Sequence, residues 1–184
     1  MQTGLHRGYF GIGVQEISKE QNVGTIMRSA HAFGASFFFS VAPVVDIRKF
    51  QQSDTAKSAP HLPYYEYPTI ADLQLPKHCA LVGVELVEGS IELPSFRHPA
   101  QAAYILGPEA GSLHPEIIAR CDHIVRIPMS FCVNVGVAAA IIMYDRTISR
   151  GRFPERPVSA GGEASPLPDH VQVSRKNVGG EGIL

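Results

Sequence analysis

Three short polar segments, each placed where an apolar run ends, constrain this chain more than any other feature. Asn22-Val23-Gly24-Thr25-Ile26-Met27-Arg28 comes after the run Tyr9-Phe10-Gly11-Ile12-Gly13-Val14. Leu106-Gly107-Pro108-Glu109-Ala110-Gly111 closes an apolar run over 102–106. Ile127-Pro128-Met129 ends a third run, and Asn134-Val135-Gly136 opens the helical stretch that follows. Short apolar runs that alternate with helical segments predict an α/β fold, a mostly parallel sheet flanked by helices. In open sheets of that kind, ligands bind outside the C-terminal ends of the strands. Those ends are where this chain places its glycine, proline and asparagine.

The first strand is predicted over 9–14, and Asn22 is read as the N-cap of the helix after it. Val23, Ile26, Met27, Ala30 and Phe33 share one face of that helix, while Thr25, Arg28 and Ala32 share the other. Arg28 therefore points to solvent or ligand, and Gly34 supplies the stop. Further strands are expected over 36–41, 79–86, 102–106 and 123–127, with a short helix over 115–120. Residues 43–76 are less regular. Pro60-His61-Leu62-Pro63 and Tyr64, Tyr65 and Tyr67 read as a loop packed by aromatics. Asn134 caps a last helix running to 149. From Val135 to Met143 that helix is apolar nearly all round, until Tyr144. A helix of this kind is buried on more than one side. It is either the central helix of a monomer or half of a homodimer interface. Beyond Gly151 the composition turns to Gly, Pro and Ser, so 1–154 is read as the folded domain and 155–184 as a flexible tail.

With 45% hydrophobic and 18% charged residues, the 184-residue chain suits one globular domain. No apolar run approaches the ~20 residues of a membrane span, and Met1 to Phe10 lacks a signal-length apolar stretch. Cys79, Cys121 and Cys132 are odd in number and widely spaced. They suggest neither a disulfide framework nor a zinc site, and the expected location is the cytoplasm. No metal is expected, because the eight histidines show no ligand spacing. His31 is read as half-buried, and His61, His98 and His114 as loop residues beside prolines. The net charge of −1 means that RNA binding would need localised positive charge. Arg146, Arg150, Arg152 and Arg156 are the one such group, serving either phosphate contact or the helix dipole.

In order and spacing, the three segments resemble the signature motifs of SpoU-type (TrmH-like) RNA 2′-O-ribose methyltransferases. These form a branch of the knotted SPOUT superfamily, and the resemblance covers 9–150. It implies a C-terminal trefoil knot and S-adenosylmethionine as cofactor. It also implies an RNA substrate, with tRNA favoured over ribosomal RNA because the chain begins almost at its first strand, and a homodimer formed through the last helix. Asn22, Arg28, Glu109 and Asn134 take the catalytic positions. Leu106, Gly107, Pro108, Gly111, Ile127, Pro128, Met129, Val133 and Asn134 take the cofactor positions. Arg28, Arg146, Arg150 and Arg152 are the residues expected to meet RNA. A guanidinium is not normally deprotonated in proteins. The role that fits Arg28 is therefore to hold the target phosphate and stabilise a developing 2′-alkoxide.

The chain departs from the family pattern in two places. Gly111 stands two residues after Glu109 where the family has glycine at the third, which here is Ser112. The family sequence Ser-Leu-Asn-Val-Ser is Cys132-Val133-Asn134-Val135-Gly136, and Cys132 is read as a buried bystander. These changes keep open a catalytically silent RNA-binding or cofactor-binding module. Base methylation, as in the tRNA guanine-N1 branch, is a further alternative. A dinucleotide-binding dehydrogenase is disfavoured, since Gly8, Gly11 and Gly13 lie in or before the first strand and no GxGxxG opens the helix.

Overall fold

The structure, a computed structural model, describes residues 8–48, 62–162 and 164. The compact unit spanning His6–Arg152 holds all the regular structure among them. Seven strands form one sheet: β1 (Tyr9–Gln15), β2 (Phe37–Val41), β3 (Tyr64–Tyr67), β4 (Ala80–Val84), β5 (Ile91–Glu92), β6 (Gln101–Leu106) and β7 (His123–Arg126). Their order is β3-β2-β1-β6-β4-β7-β5, and every adjacent pair is parallel. The helices whose full extent is described are α1 (Glu20–Ala32), α2 (Pro115–Arg120) and α3 (Val135–Arg150), with a 3-10 turn at Leu93–Ser95.

The pleat divides the core in two. Ile12, Val14, Phe38, Val82, Tyr104 and Leu106 pack with Val23, Ile26 and Met27 of α1 and Ala139, Ile142 and Met143 of α3. On the opposite face Phe37, Phe39, Leu81, Ala103 and Ile105 pack with Ile117 of α2. Gly11 and Gly13 lie in register with Phe37 and Phe39. A Cβ on either glycine would stand 2.2 or 2.4 Å from the neighbouring phenyl ring. These glycines make room for aromatic side chains, which is why they sit inside a strand.

Several predicted boundaries hold closely: Pro115–Arg120 is helical, Gly34 takes φ +72° after α1, and Asn134 caps α3 by accepting the Gly136 N–H at 2.8 Å. Others need correction. Helix α1 begins two residues before Asn22, with Lys19 as an N-cap that makes no side-chain bond. Asn22 is therefore inside the first turn and buried at 6% exposure. The tyrosine segment is a strand rather than a loop. Tyr64 pairs with Phe38 and stacks on its ring at 5.6 Å. The two-residue β5 was also unforeseen. Pro60 and His61 lie outside the described residues, as does most of 155–184. Residues 153–162 and 164, described by themselves, are exposed and carry neither helix nor strand. No helix among the described residues is long and apolar enough to cross a membrane.

Arg146 is the largest correction. Expected to meet RNA, it is 5% exposed. Its guanidinium donates to Pro99 O at 2.7 Å, Ala100 O at 2.9 Å, Tyr104 Oη at 2.9 Å and Tyr9 O at 3.3 Å. It also lies over the Phe10 ring at 5.1 Å. Arg146 thus ties α3 to the starts of β1 and β6 by bonding main-chain carbonyls there. His98, also buried, completes the cluster, with Nδ1 2.6 Å from Tyr104 Oη and Nε2 2.8 Å from Asp145. Neutral His98 satisfies every member: Arg146 donates to Tyr104, Tyr104 to Nδ1, and Nε2–H to Asp145. Burial pushes the Tyr104 hydroxyl up to about 12, so it stays protonated and able to donate.

Candidate active site

The register brings the C-terminal ends of the central strands level: Val14 pairs with Leu106, Leu106 with Val84, and Val84 with Val125. The three polar segments leave the sheet along this edge. Between them lies a cleft of about 230 Å³, close to the ~300 Å³ lower end of small-molecule sites. Leu106, Gly107, Pro108, Glu109, Gly111, Ile127, Met129, Val133 and Asn134 line it. Of the expected cofactor residues only Pro128 is not part of that lining. Cys132, expected to be buried, is exposed and lines the cleft. Proline after β7 ends ladder pairing, so the chain turns out over the opening instead of extending the sheet.

A hydrogen-bonded chain joins the segments at the cleft. Glu109 Oε2 accepts the Ser18 N–H and hydroxyl, both at 3.0 Å. Its Oε1 accepts the Lys19 N–H at 3.0 Å and the Asn22 side-chain amide at 2.9 Å. The first turn of α1 has backbone donors without partners inside the helix, and a carboxylate suits that end of the dipole. Glu109, from a segment far along the chain, brings such a carboxylate to the Ser18 and Lys19 amides just before the helix. Asn22 Oδ1 then accepts from Asn134 Nδ2 at 2.9 Å, and Asn134 Oδ1 accepts the Gly136 N–H. Each asparagine amide thus has one donor and one acceptor committed, which fixes both orientations. Burial raises the Glu109 carboxyl. The Asn22 amide and the Ser18 donors outweigh that and hold it below the usual carboxylate range.

Arg28 lies on α1, exposed, with no hydrogen bond or ion pair among the described residues. Its charge is available to an incoming anion. The close approach of α1 and α3 depends on Gly136. A Cβ there would be 2.8 Å from Thr25 Cγ2 and 3.1 Å from Asn134 Oδ1. Small size at 136 therefore lets Asn134 reach Asn22. Arg150 is half-buried and donates to His98 O at 3.0 Å, whereas Arg152 is exposed. Among the histidines, His31 is exposed rather than half-buried, and His114 caps α2. Among the described residues no three His, Cys, Asp or Glu side chains gather as a metal site.

The sequence reading missed two acids or amides at strand ends. Glu85 follows β4, lines the cleft, and accepts the Leu113 N–H at 2.6 Å and the Leu86 N–H at 2.8 Å. Gln15 ends β1, is 2% exposed, and accepts the His114 N–H at 2.7 Å. The available signal was position alone: each is the first polar residue after an apolar strand.

Comparison with known proteins agrees with this geometry. The model of the SpoU rRNA methylase family matches residues 10–144, so the chain belongs to that family, whose cofactor is S-adenosylmethionine. Its structure is similar to the SpoU methyltransferase AviRb of Streptomyces viridochromogenes, with TM-score 0.68 and 23% identity, over 81% of this chain and 62% of that one. It is similar also to an AdoMet-bound rRNA methyltransferase of Sinorhizobium meliloti, with TM-score 0.69 and 20% identity, over 77% of this chain and 57% of that one. The chain thus spans about three fifths of these two relatives. A third similar structure, concerned with 2-OH methylation of C/U34 on tRNA, has TM-score 0.65 and 19% identity, over 77% of this chain and 91% of that one. No curated protein matches the sequence.

Proposed function

We propose that this protein transfers a methyl group from S-adenosylmethionine to a ribose 2′-hydroxyl of RNA, with tRNA as the favoured substrate. The observation that carries the reading is the Glu109–Asn22–Asn134 chain, which joins all three signature segments beside one cleft. The cleft's residues suit this cofactor. Leu106, Ile127, Val133, Val135 and Ala138 offer apolar surface for an adenosine, and Glu85 and Glu109 offer negative charge to a cation. A Cβ on Gly107 would stand 3.0 Å from Leu113 N and 3.2 Å from Ser112 C, so glycine there keeps the turn folded tightly over β6. The bound cofactor supplies an activated methyl on a sulfonium. The protein's part is then alignment and charge. Asn22 and Asn134 hold the turn and the two helices in fixed relation, and Arg28 binds the target phosphate and offsets charge developing on the ribose oxygen. Arg150 and Arg152 extend the RNA contact, and Arg146 does not.

Pairing of two copies through α3 belongs to the same reading. Val137 and Tyr144 are 46% and 53% exposed, and with half-buried Ile141 they form a stripe at helical spacing. The trefoil threading of 128–139 and a cytoplasmic location complete the proposal. The tRNA preference draws support from the third structural relative, whose length the chain nearly spans. Incubation with methyl-labelled cofactor and either total tRNA or ribosomal RNA tests it. Label is expected in the tRNA fraction, and label confined to ribosomal RNA would reverse the substrate assignment.

A further inference from the structure

The turn over 107–114 forms one wall of the cleft, yet it belongs to no helix or strand before α2 begins. A turn of this length with glycines at 107 and 111 would ordinarily sample many shapes. Here it is pinned at three points, each to a different part of the chain. Glu109 fastens it to the first turn of α1. Glu85, at the end of β4, accepts the Leu113 N–H at 2.6 Å. Gln15, at the end of β1, accepts the next amide, His114 N–H, at 2.7 Å. Strands β1 and β4 flank β6, from which the turn emerges.

We propose that Gln15 and Glu85 are positioning residues that preset the 107–114 turn for the cofactor before it arrives, acting through the Leu113 and His114 amides. The proposal rests on the cofactor reading above. Its physical basis is that a preformed loop avoids the ordering cost of binding. Gln15 suits the task because it is buried and takes a main-chain donor that would otherwise lack a partner. Glu85 suits it because its two oxygens are divided between Leu86 and Leu113, so one carboxylate fixes both the strand end and the turn. Neither role requires contact with the methyl group. The effect therefore falls on every ligand that uses the turn, whatever its charge.

Calorimetry with S-adenosylmethionine and with its product S-adenosylhomocysteine, which lacks the sulfonium charge, tests this on the full chain. Wild-type binding comes first: its absence would overturn the cofactor reading itself, separately from the present inference. Given binding, Gln15→Leu is expected to weaken both ligands about tenfold and equally, and Glu85→Gln to weaken both, with an added loss for S-adenosylmethionine because the cleft also loses a negative charge. KM for the donor is expected to rise by more than kcat falls. Unchanged affinities, or a loss for S-adenosylmethionine alone, would overturn the inference. Amide hydrogen exchange in the ligand-free wild-type protein tests it without any variant. Leu113 and His114 are expected to be protected, and exchange at the rate of an unstructured peptide would overturn it.

Discussion

Replacing Glu109 by glutamine tests how the site is held together. The carboxylate accepts four hydrogen bonds, two at each oxygen. An amide of the same shape keeps one accepting oxygen. It settles best with that oxygen toward Lys19 and Asn22 and its NH2 toward Ser18, whose hydroxyl can turn to accept. The Ser18 N–H then loses its acceptor, the bonds to Lys19 and Asn22 lose their charge assistance, and the start of α1 loses an anion. Because the site is partly exposed, the lower range applies to each loss, and the sum is about 2–3 kcal/mol. For a domain of this size that lowers Tm by about 4–12 °C. Urea unfolding followed by circular dichroism measures it, and the pH dependence sharpens it. The folded-state carboxyl is held below its usual range. Its stabilising contribution is therefore complete above the unfolded value of about 4.3 and fades as pH falls through the folded value. The gap between wild type and Glu109→Gln should close over that window. Equal midpoints at pH 7, or a gap that does not change down to pH 3, would refute this account of Glu109.

Arg28→Ala should abolish methyl transfer while leaving cofactor affinity intact and stability within about 0.5 kcal/mol, as expected of an exposed side chain; calorimetry beside a transfer assay reads both. Gly136→Ala should destabilise by about 1–2 kcal/mol, since the added methyl meets Thr25 and overpacking exceeds the gain in helix propensity. In a Thr25→Ala background the same change should become neutral or stabilising, which a double-mutant cycle in urea will show. Tyr104→Phe should cost about 1–3 kcal/mol, because Arg146 and His98 each lose a buried partner. Burial lowers the His98 pKa, against the opposing pull of Asp145 and with help from Arg146 and Arg150. The unfolded chain therefore takes up the proton first, and stability should fall as pH drops below about 6.5. A urea midpoint that is flat from pH 7 to 5 would contradict the neutral-histidine network.

Much of this was written locally in the chain. Glycine, proline and asparagine punctuate the strand ends, so the segments that line the cleft stand out without a structure. Pro115 at the first position of α2 and Gly34 after α1 marked their elements for the same reason. Strand β3 escaped because an edge strand exposed on parts of both faces shows no alternation, and three tyrosines after Pro63 look like a loop. The role of Asn22 escaped because its partners are 87 and 112 residues away. Polar residues near a helix start look like caps whether or not they cap. Arg146 was misread because cations near a helix C-terminus are usually solvated. The signal against that reading was present: Ala139, Ile142, Met143 and Arg146 share one helical face, and the first three are core.

The distinguishing measurement is where the methyl group lands. RNA labelled by the purified protein and digested with alkali should retain its label in alkali-resistant dinucleotides, because a methylated 2′-oxygen cannot attack the neighbouring phosphate. Label released entirely in ordinary nucleotides, with the methyl on the base, would contradict ribose transfer, and RNA left unlabelled despite bound cofactor would contradict catalysis at this cleft.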